Sequence, residues 1–387
     1  RRFEQTADCT VFQSFTWQSL WRKHIGGPEG VQPAIVVGRI GERIVFIFPL
    51  AIERGRLARR LTWHAGDLGD YNAPLLAPDF AALVDRVGFL ALFATIRRVL
   101  SADPRFRFDA VAFEKMPEAV GTQANPFIAL CSGLNPSGAY VMGFSGAEWE
   151  AFYTAKRSSA TRRRDRTKRK RLGDIGAVRF VTPEGAADIE ANLDVLAHQK
   201  SRQLLAMGAE NVFARPGFRE FFADLATSAD GRTIAHVSHL AVGAIMAAAN
   251  FGLVFRGRYY HILASYDAGE VSRFGPGAVH LQELMRYAIQ RQCTAFDFTI
   301  GDEHYKREWA DVTLLLHDHR SAVTPAGWLV SAPAEAVGRF KRIVKQNPRL
   351  WALASRTRAT IATLRRGRTP AGGTPANAAT TEERDEA

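Results

Sequence analysis

The chain is predicted to be an α/β (α+β) protein made of two tandem halves of like topology, with mixed, mostly antiparallel sheets flanked by helices. Three observations predict this. Residues Ser272 to Trp309 read as a glycine turn, an amphipathic helix, a buried strand and a polar loop. A similar order of strands, loop, helix and strand occurs earlier, with Phe108-Asp109 matching Phe296-Asp297 and Tyr71 matching Tyr266 at similar offsets. At 387 residues, with 47% hydrophobic and 10% aromatic content, the chain can bury more than one sizeable core.

The first half, residues 1–145, begins with a short helix at Trp17 to Ile25. Apolar runs at Ala34 to Gly38 and Arg43 to Leu50 meet around Gly41-Glu42, a hairpin signal. A turn-rich loop, Gly69 to Pro74, precedes a helix over Asp79 to Leu100 and a strand at Phe108 to Phe113. The connector, 146–182, is read as helical from Gly146 to Leu172. The second half, 183–325, has helices at Pro183 to Leu205 and Phe218 to Thr227, and strands at Thr233 to Leu240 and Ile245 to Phe255. After the Arg256-Gly257 turn come a strand at Tyr259 to Tyr266, a loop from Asp267 to Pro276, a helix, and the strand Phe296 to Ile300. Residues 326–387 are expected to be a basic, mostly helical region broken at Asn347-Pro348, with a disordered tail from Thr369.

Charge is concentrated. Lys156 to Arg171 holds ten Lys or Arg residues against Asp165 alone, which is +9 of the formal +12. A solvated helix or a site for an anionic partner (acidic glycan, membrane surface or tRNA) both fit this run. No aromatic residue is interleaved in it, which argues against nucleic acid in general. Cys9, Cys131 and Cys293 are too scattered for a disulfide framework or a metal cluster, so no metal is expected and a reducing cytoplasm fits best. No segment reads as a membrane span: Phe80 to Leu100 is interrupted by Asp85, Arg86, Arg97 and Arg98. A peripheral association with the inner membrane is compatible with this.

The paired glycines around Pro276 stand where a helix begins. Unpartnered N–H groups and the positive end of the helix dipole suit a phosphate or pyrophosphate there. Ser272-Arg273-Phe274-Gly275-Pro276-Gly277 resembles the acyl-CoA loop of the GNAT acyltransferase superfamily, Gln/Arg-x-x-Gly-x-Gly/Ala, with Ser at its first position. Phe296-Asp297-Phe298, Gly301, Tyr305-Lys306 and Trp309 resemble the ending of its duplicated, CelD-like branch, associated with cellulose and exopolysaccharide clusters and related to the FemAB transferases. Asp70-Tyr71 resembles that branch's first-half loop.

The resemblance implies two tandem GNAT-like folds, the second binding acetyl-CoA or another acyl-CoA as co-substrate. The reaction would be direct acyl transfer to an amine, on an amino sugar or polysaccharide precursor. Ser272, Arg273, Gly275, Gly277 and Ala278 are the expected cofactor-binding residues, with an oxyanion donor among the N–H groups near Ser265 to Asp267. Asp267 and Asp297 are candidate bases, Tyr305 a proton donor to the departing thiolate, and Lys306 a neutraliser of transition-state charge. Asp70, Tyr71, Glu303 and Trp309 are placed at the acceptor side. His198 to Arg202 borders the acceptor cleft or lies on a solvated helix face. Two other readings stay open: a FemAB-like transferase that takes aminoacyl-tRNA, and a non-catalytic GNAT-fold binding module.

Overall fold

The computed structural model describes residues 1–346 apart from 132, 145, 147 and 302. The expected break at Asn347-Pro348 and the tail from Thr369 lie outside the described residues. In chain order the first elements are α1 (Phe15–Trp21), β1 (Gln32–Pro33), β2 (Val36–Ile40), β3 (Arg43–Phe48), β4 (Leu50–Arg54), β5 (Arg59–Trp63) and β6 (Leu75–Leu76). They are followed by α2 (Phe80–Leu83), α3 (Arg86–Ala102), β7 (Ala110–Pro117), β8 (Ala119–Val120), β9 (Gln123–Ala124), β10 (Gly133–Leu134) and β11 (Ala139–Gly143). The middle of the chain forms α4 (Trp149–Lys156), α5 (Ser159–Gly173), β12 (Val178–Val181), α6 (Ala186–Ala206) and α7 (Phe218–Thr227). The last elements are β13 (Ala235–Val242), β14 (Ile245–Phe255), β15 (Arg258–Tyr266), α8 (Pro276–Gln290), β16 (Ala295–Ile300), α9 (His304–Trp309), β17 (Val312–Leu314), β18 (Leu316–Ala322) and α10 (Pro325–Gln346).

Two large sheets form, in the orders β1-β4-β5-β7-β18-β10 and β12-β13-β14-β15-β16-β11-β17. Each contains one parallel pair joined by a helical crossover, β5 with β7 and β15 with β16, and its other pairings are antiparallel. The sheets exchange strands. β11 leaves the first half to lie between β16 and β17, and β18 returns from the second half to lie between β7 and β10. A like unit is thus repeated, and each copy is completed by a strand from the other.

Local chemistry explains the elements the sequence drew differently. The helix expected over Asp79 to Leu100 is two helices, because Asp85 leaves helical geometry and its carboxylate accepts from the Gly88 N–H at 2.7 Å, capping α3. The stretch from Gly146 to Leu172 divides at Arg157-Ser158, where the Ser158 hydroxyl accepts from the Thr161 N–H and starts α5. The β14–β15 turn holds Arg256 and Gly257 at φ 50° and 71°, the geometry a two-residue hairpin needs.

The first core is dominated by aromatic rings, with Trp63, Phe113 and Phe127 in mutual contact at centroid distances of 5.1, 4.7 and 5.4 Å. A second cluster joins the N-terminal segment to the second half: Trp17 lies edge-on to Phe221 at 4.9 Å, and Phe12 contacts both Tyr71 and Tyr260. A third packs α4 and α8 against β16. Among the described residues no helix is long and apolar enough to cross a membrane.

Candidate active site

β15 and β16 pair only from Arg258–Ala295 to Tyr260–Asp297. Beyond that they diverge, and a cavity of about 1010 Å³ opens beside the divergence. β15 gives it His261, Ser265 and Tyr266, α6 gives Lys200 and Arg202, and α5 gives Asp165 and Lys168. The start of α8 contributes Gly277 and Ala278, while Glu303 and α9 add Tyr305, Lys306, Glu308 and Trp309.

The strand end is strained at one residue. Thr299 adopts φ 59°, rare for a β-branched side chain. Its N–H donates to Asp297 Oδ1 at 2.8 Å and its hydroxyl to the His261 carbonyl at 3.3 Å. The bonds hold Thr299 across the split between the two strands.

At the other end of the cavity, α8 starts without a side-chain cap. Gly275, at φ 66°, turns the chain into the helix, a conformation that favours glycine. Its N–H donates to the Ser272 carbonyl, so Gly275 shapes the turn and does not offer a donor, a correction to its expected role. Gly277 and Ala278 line the cavity, but the Ala278 N–H donates to the Gly275 carbonyl at 3.1 Å, so it too is taken up by the turn. The Lys168 side chain, from the basic run, crosses above the turn, with Nζ 3.9 Å from where a Gly275 Cβ would sit. Ser272 and Arg273 are not on the cavity wall. Ser272 belongs to a 3-10 turn, and the Arg273 guanidinium lies 4.8 Å from its neighbour Phe274's ring centroid.

The candidate carboxylates separate sharply. Asp267 caps its own turn, accepting from the Gly269 N–H at 2.8 Å, and is off the wall. Asp297 is fully buried beneath the site. It accepts from the Tyr71 hydroxyl at 2.6 Å, the Thr299 N–H and Arg258 at 3.1 Å. Burial raises its pKa, with Arg258, Tyr71 and Thr299 acting against the rise. Neither residue reaches the reactants as the base that the sequence suggested. Tyr71 is likewise wholly buried and ties the halves together instead of touching an acceptor. Asp70 approaches Thr299, the Ile300 N–H, Lys115 and Lys306 from the first half; burial raises its pKa and these donors and cations oppose the rise. It too is off the cavity wall.

Glu303, Tyr305, Lys306 and Trp309 are brought together on one wall. Lys306 is buried and donates to the Ile300 carbonyl at 2.8 Å while pairing with Glu303 at 3.1 Å. Glu303 is the more exposed partner, so its carboxylate meets the cavity while Lys306 orients it. The Tyr305 hydroxyl is held in its protonated form by burial and, secondarily, by Glu303. Trp309 is buried in a stack with Tyr153, and Arg157 lies over its ring at 4.5 Å.

Sequence reasoning left two wall residues without a role. Lys168 was one cation among ten, and only the packing of α5 on α8 selects it. For Lys200 the sequence left open which way it turns, to border the acceptor cleft or to lie on a solvated helix face. Gln199 fixes that orientation, donating to the Met246 carbonyl at 2.9 Å and accepting from Ser265 at 2.8 Å. Burial lowers the Lys200 pKa, Glu303 opposes the shift and Lys306 adds to it. Among the described residues no carboxylate forms an ion pair with Lys200. Arg202, also on the wall, likewise forms no ion pair among the described residues, whereas Lys168 pairs with Asp165 at 3.8 Å and Arg157 with Glu308 at 3.3 Å. A free cation in an enclosed wall suits a ligand bearing a carboxylate or phosphate.

Buried imidazoles stand on and behind the wall, His261 and His280 among its lining residues. His236 bonds the Tyr259 hydroxyl at 2.9 Å, and His280 contacts Ser238 at 3.3 Å. Asn250 donates to His261 Nε2 at 3.1 Å when its oxygen faces the Phe251 and Gly252 N–H groups. Burial lowers the pKa of His236 and of His261 to about 3, so both are neutral at neutral pH. In β18, His317 pairs with Glu118 at 2.9 Å and Asp318 accepts from Asn135, so these two side chains serve the first sheet.

Residues 159–307 match the family described as an acetyltransferase (GNAT) domain. Among solved structures, FemX aligns with a TM-score of 0.56 at 9% identity, over 85% of this chain and 97% of that one. L-PGS from Bacillus licheniformis aligns with a TM-score of 0.48 at 11% identity, over 78% and 88%. A tandem GNAT protein from the clavulanic acid biosynthesis pathway aligns with a TM-score of 0.42 at 13% identity, over 76% and 84%. No curated protein sequence matches the chain.

Proposed function

From the match of residues 159–307 to a GNAT acetyltransferase domain and the fold shared with FemX, we propose that the chain is an acyl-CoA-dependent N-acyltransferase of the GNAT superfamily. One observation carries the reading. The uncapped start of α8, with Lys168 above it, opens onto the same cavity that reaches the split between β15 and β16. A pyrophosphate would meet the Gly277 N–H, the helix dipole and an ammonium at one end, and the thioester would lie toward the other.

Transfer then needs a base, an oxyanion donor and an acid. Glu303 takes the base role that Asp267 and Asp297 cannot fill, because it is the carboxylate on the wall beside the strand split; Lys306 orients it through their ion pair. The Asp267 N–H donates to the Ala247 carbonyl, so strand alternation turns the Tyr266 N–H the opposite way, toward the split, as oxyanion donor. The acceptor amine attacks the thioester carbonyl carbon and loses its proton to Glu303. The C–S bond breaks, and Tyr305 supplies a proton to the departing thiolate. Lys200 favours an acceptor carrying a negative group, such as a phosphorylated or nucleotide-linked amino sugar destined for an envelope or exopolysaccharide. The CelD-like ending of the sequence supports that class.

Titration calorimetry with acetyl-CoA and longer acyl-CoAs tests the reading. The wild-type protein should bind, and Gly277→Glu, which puts a carboxylate at the α8 start, should lower the affinity by about a hundredfold or more. No binding of any acyl-CoA by the wild-type protein would overturn the proposal. A second reading, aminoacyl-tRNA as donor, is favoured by Arg163, Arg164, Arg166, Lys170 and Arg171, which form no ion pair among the described residues. A tRNA mobility shift lost on neutralising these five, without acyl-CoA binding, would select it.

A further inference from the structure

α10 is mounted the wrong way round for a helix covering a sheet. Its inward side is small or polar. Gly327 is buried so close to β7 that a Cβ there would lie 1.8 Å from the Asp109 carbonyl, and one at Gly338 would lie 3.2 Å from Arg320. Ser331, Glu335 and Arg342 share this side at helical spacing and are half-buried. The outward side holds the large apolar groups. Leu329, Val337, Phe340 and Ile343 are 60%, 50%, 67% and 59% exposed, on a stripe that Pro333 and Ala336 complete at three- and four-residue steps. Trp328, 63% exposed, stands at its edge.

Water leaves such a stripe uncovered at a cost, so something else is expected to cover it. The charges say what. Arg339 and Lys341 flank the stripe on opposite sides, with long stems that can lie along it. The helix's one acid, Glu335, is held by Arg339 at 2.6 Å and turned inward. A second copy of this helix would bring the same cations against one another. A surface of anionic headgroups over hydrocarbon complements both the stripe and its flanks.

We propose that α10 is an interfacial membrane anchor, seating Leu329, Val337, Phe340 and Ile343 among the acyl chains of an anionic bilayer while Arg339 and Lys341 contact its phosphates. The helix lies in the plane of the surface. Its mounting on β7 and β18 makes the first half the membrane-facing side of the molecule.

Co-sedimentation of the full chain with vesicles tests this. Binding is expected to phosphatidylcholine vesicles doped with phosphatidylglycerol, weakening at high salt, with little binding to phosphatidylcholine alone. The double variant Phe340→Ser, Ile343→Ser should lose about tenfold or more of its partitioning with unchanged far-UV dichroism and thermal midpoint. Arg339→Gln with Lys341→Gln should lose the preference for anionic vesicles. Absence of vesicle binding would overturn the proposal, as would binding that Phe340→Ser, Ile343→Ser leaves intact. A dimer by light scattering that this variant dissociates would give the stripe to a second copy instead.

Discussion

In the first half, α3 begins on Asp85, whose own carboxylate accepts from one of the N-terminal N–H groups, that of Gly88. In the second, α8 begins on Gly275-Pro276-Gly277 and has no side-chain cap. The strands beside the two helices differ in the same sense. Next to β5 and β7 the space is filled by Trp63, Phe113 and Phe127; next to β15 and β16 it stays open and is lined by Lys200, Glu303 and Lys306. Even the irregular backbone is shared. Lys115 in β7 and Thr299 in β16 both have positive φ, at 58° and 59°, close to shifts of register against the exchanged strands. Lys115 gives its N–H to Asp318, which anchors β18, whereas Thr299 spans the mouth of a cavity. One repeated scaffold has thus been closed in one copy and left open in the other. The closed copy contributes through Asp70 and Tyr71, which brace the floor of the open one.

The contrast is broken most strongly at Glu303. If chemistry resides only in the open copy, Glu303→Gln should reduce kcat by about 10²–10⁴-fold while leaving the thermal midpoint and acetyl-CoA affinity unchanged. The variant keeps the size and the hydrogen-bonding reach of the side chain and removes its basicity together with the charge that pairs with Lys306. An unchanged kcat would return the base role to another group.

Acid should separate the copies next. His236 and His261 are buried and neutral in the second half, with pKa values near 3 against an ordinary value of 6.5. Above pH 6.5 they cost nothing. As pH falls below 6.5 the unfolded chain takes up protons that the folded chain refuses, and stability declines until about pH 3. By pH 5 the linkage amounts to roughly 2 kcal/mol for each histidine. Burial lowers the pKa of His64 in the first half to about 4 in the same way, so hydrogen exchange at pH 5 and pH 7 should show protection falling in both halves and further in β13 to β15, where His236 and His261 lie together. Equal loss in both halves would show that they unfold as one unit.

Much of this division was legible in the sequence, though unevenly. The turn at Gly275 to Gly277 and the strand Phe296 to Ile300 were placed by local pattern, whereas the expected polar loop up to Trp309 is instead the short helix α9, which local pattern did not reveal. The strand exchange was not legible, because β11 and β18 look the same in sequence whichever sheet they join. The fate of Asp297 was hidden for a related reason. A carboxylate in an apolar strand signals a partner, but its partners Tyr71 and Arg258 come from a distant loop and the neighbouring strand. Lys200 and Lys168 needed helix orientations that depend on tertiary packing, through Gln199 for one and the seat of α5 on α8 for the other.

The smallest effect tests which difference closes the first half, the cap or the core. Asp85→Ala removes the carboxylate from the start of α3 and leaves its N–H groups as open as those of α8. Loss of an N-cap should cost about 1 kcal/mol, read as a lower urea midpoint with an unchanged slope. If an uncapped helix start were enough, the variant would gain a second acetyl-CoA site in calorimetry. The expected stoichiometry stays at the wild-type value. The phosphates would find the helix, but the thioester arm would meet the packed rings of Trp63, Phe113 and Phe127 where the second half offers a cavity. A second site would mean that the cap alone silences the first half. An unchanged count means that the aromatic core does, and that reopening this copy would require removing those rings.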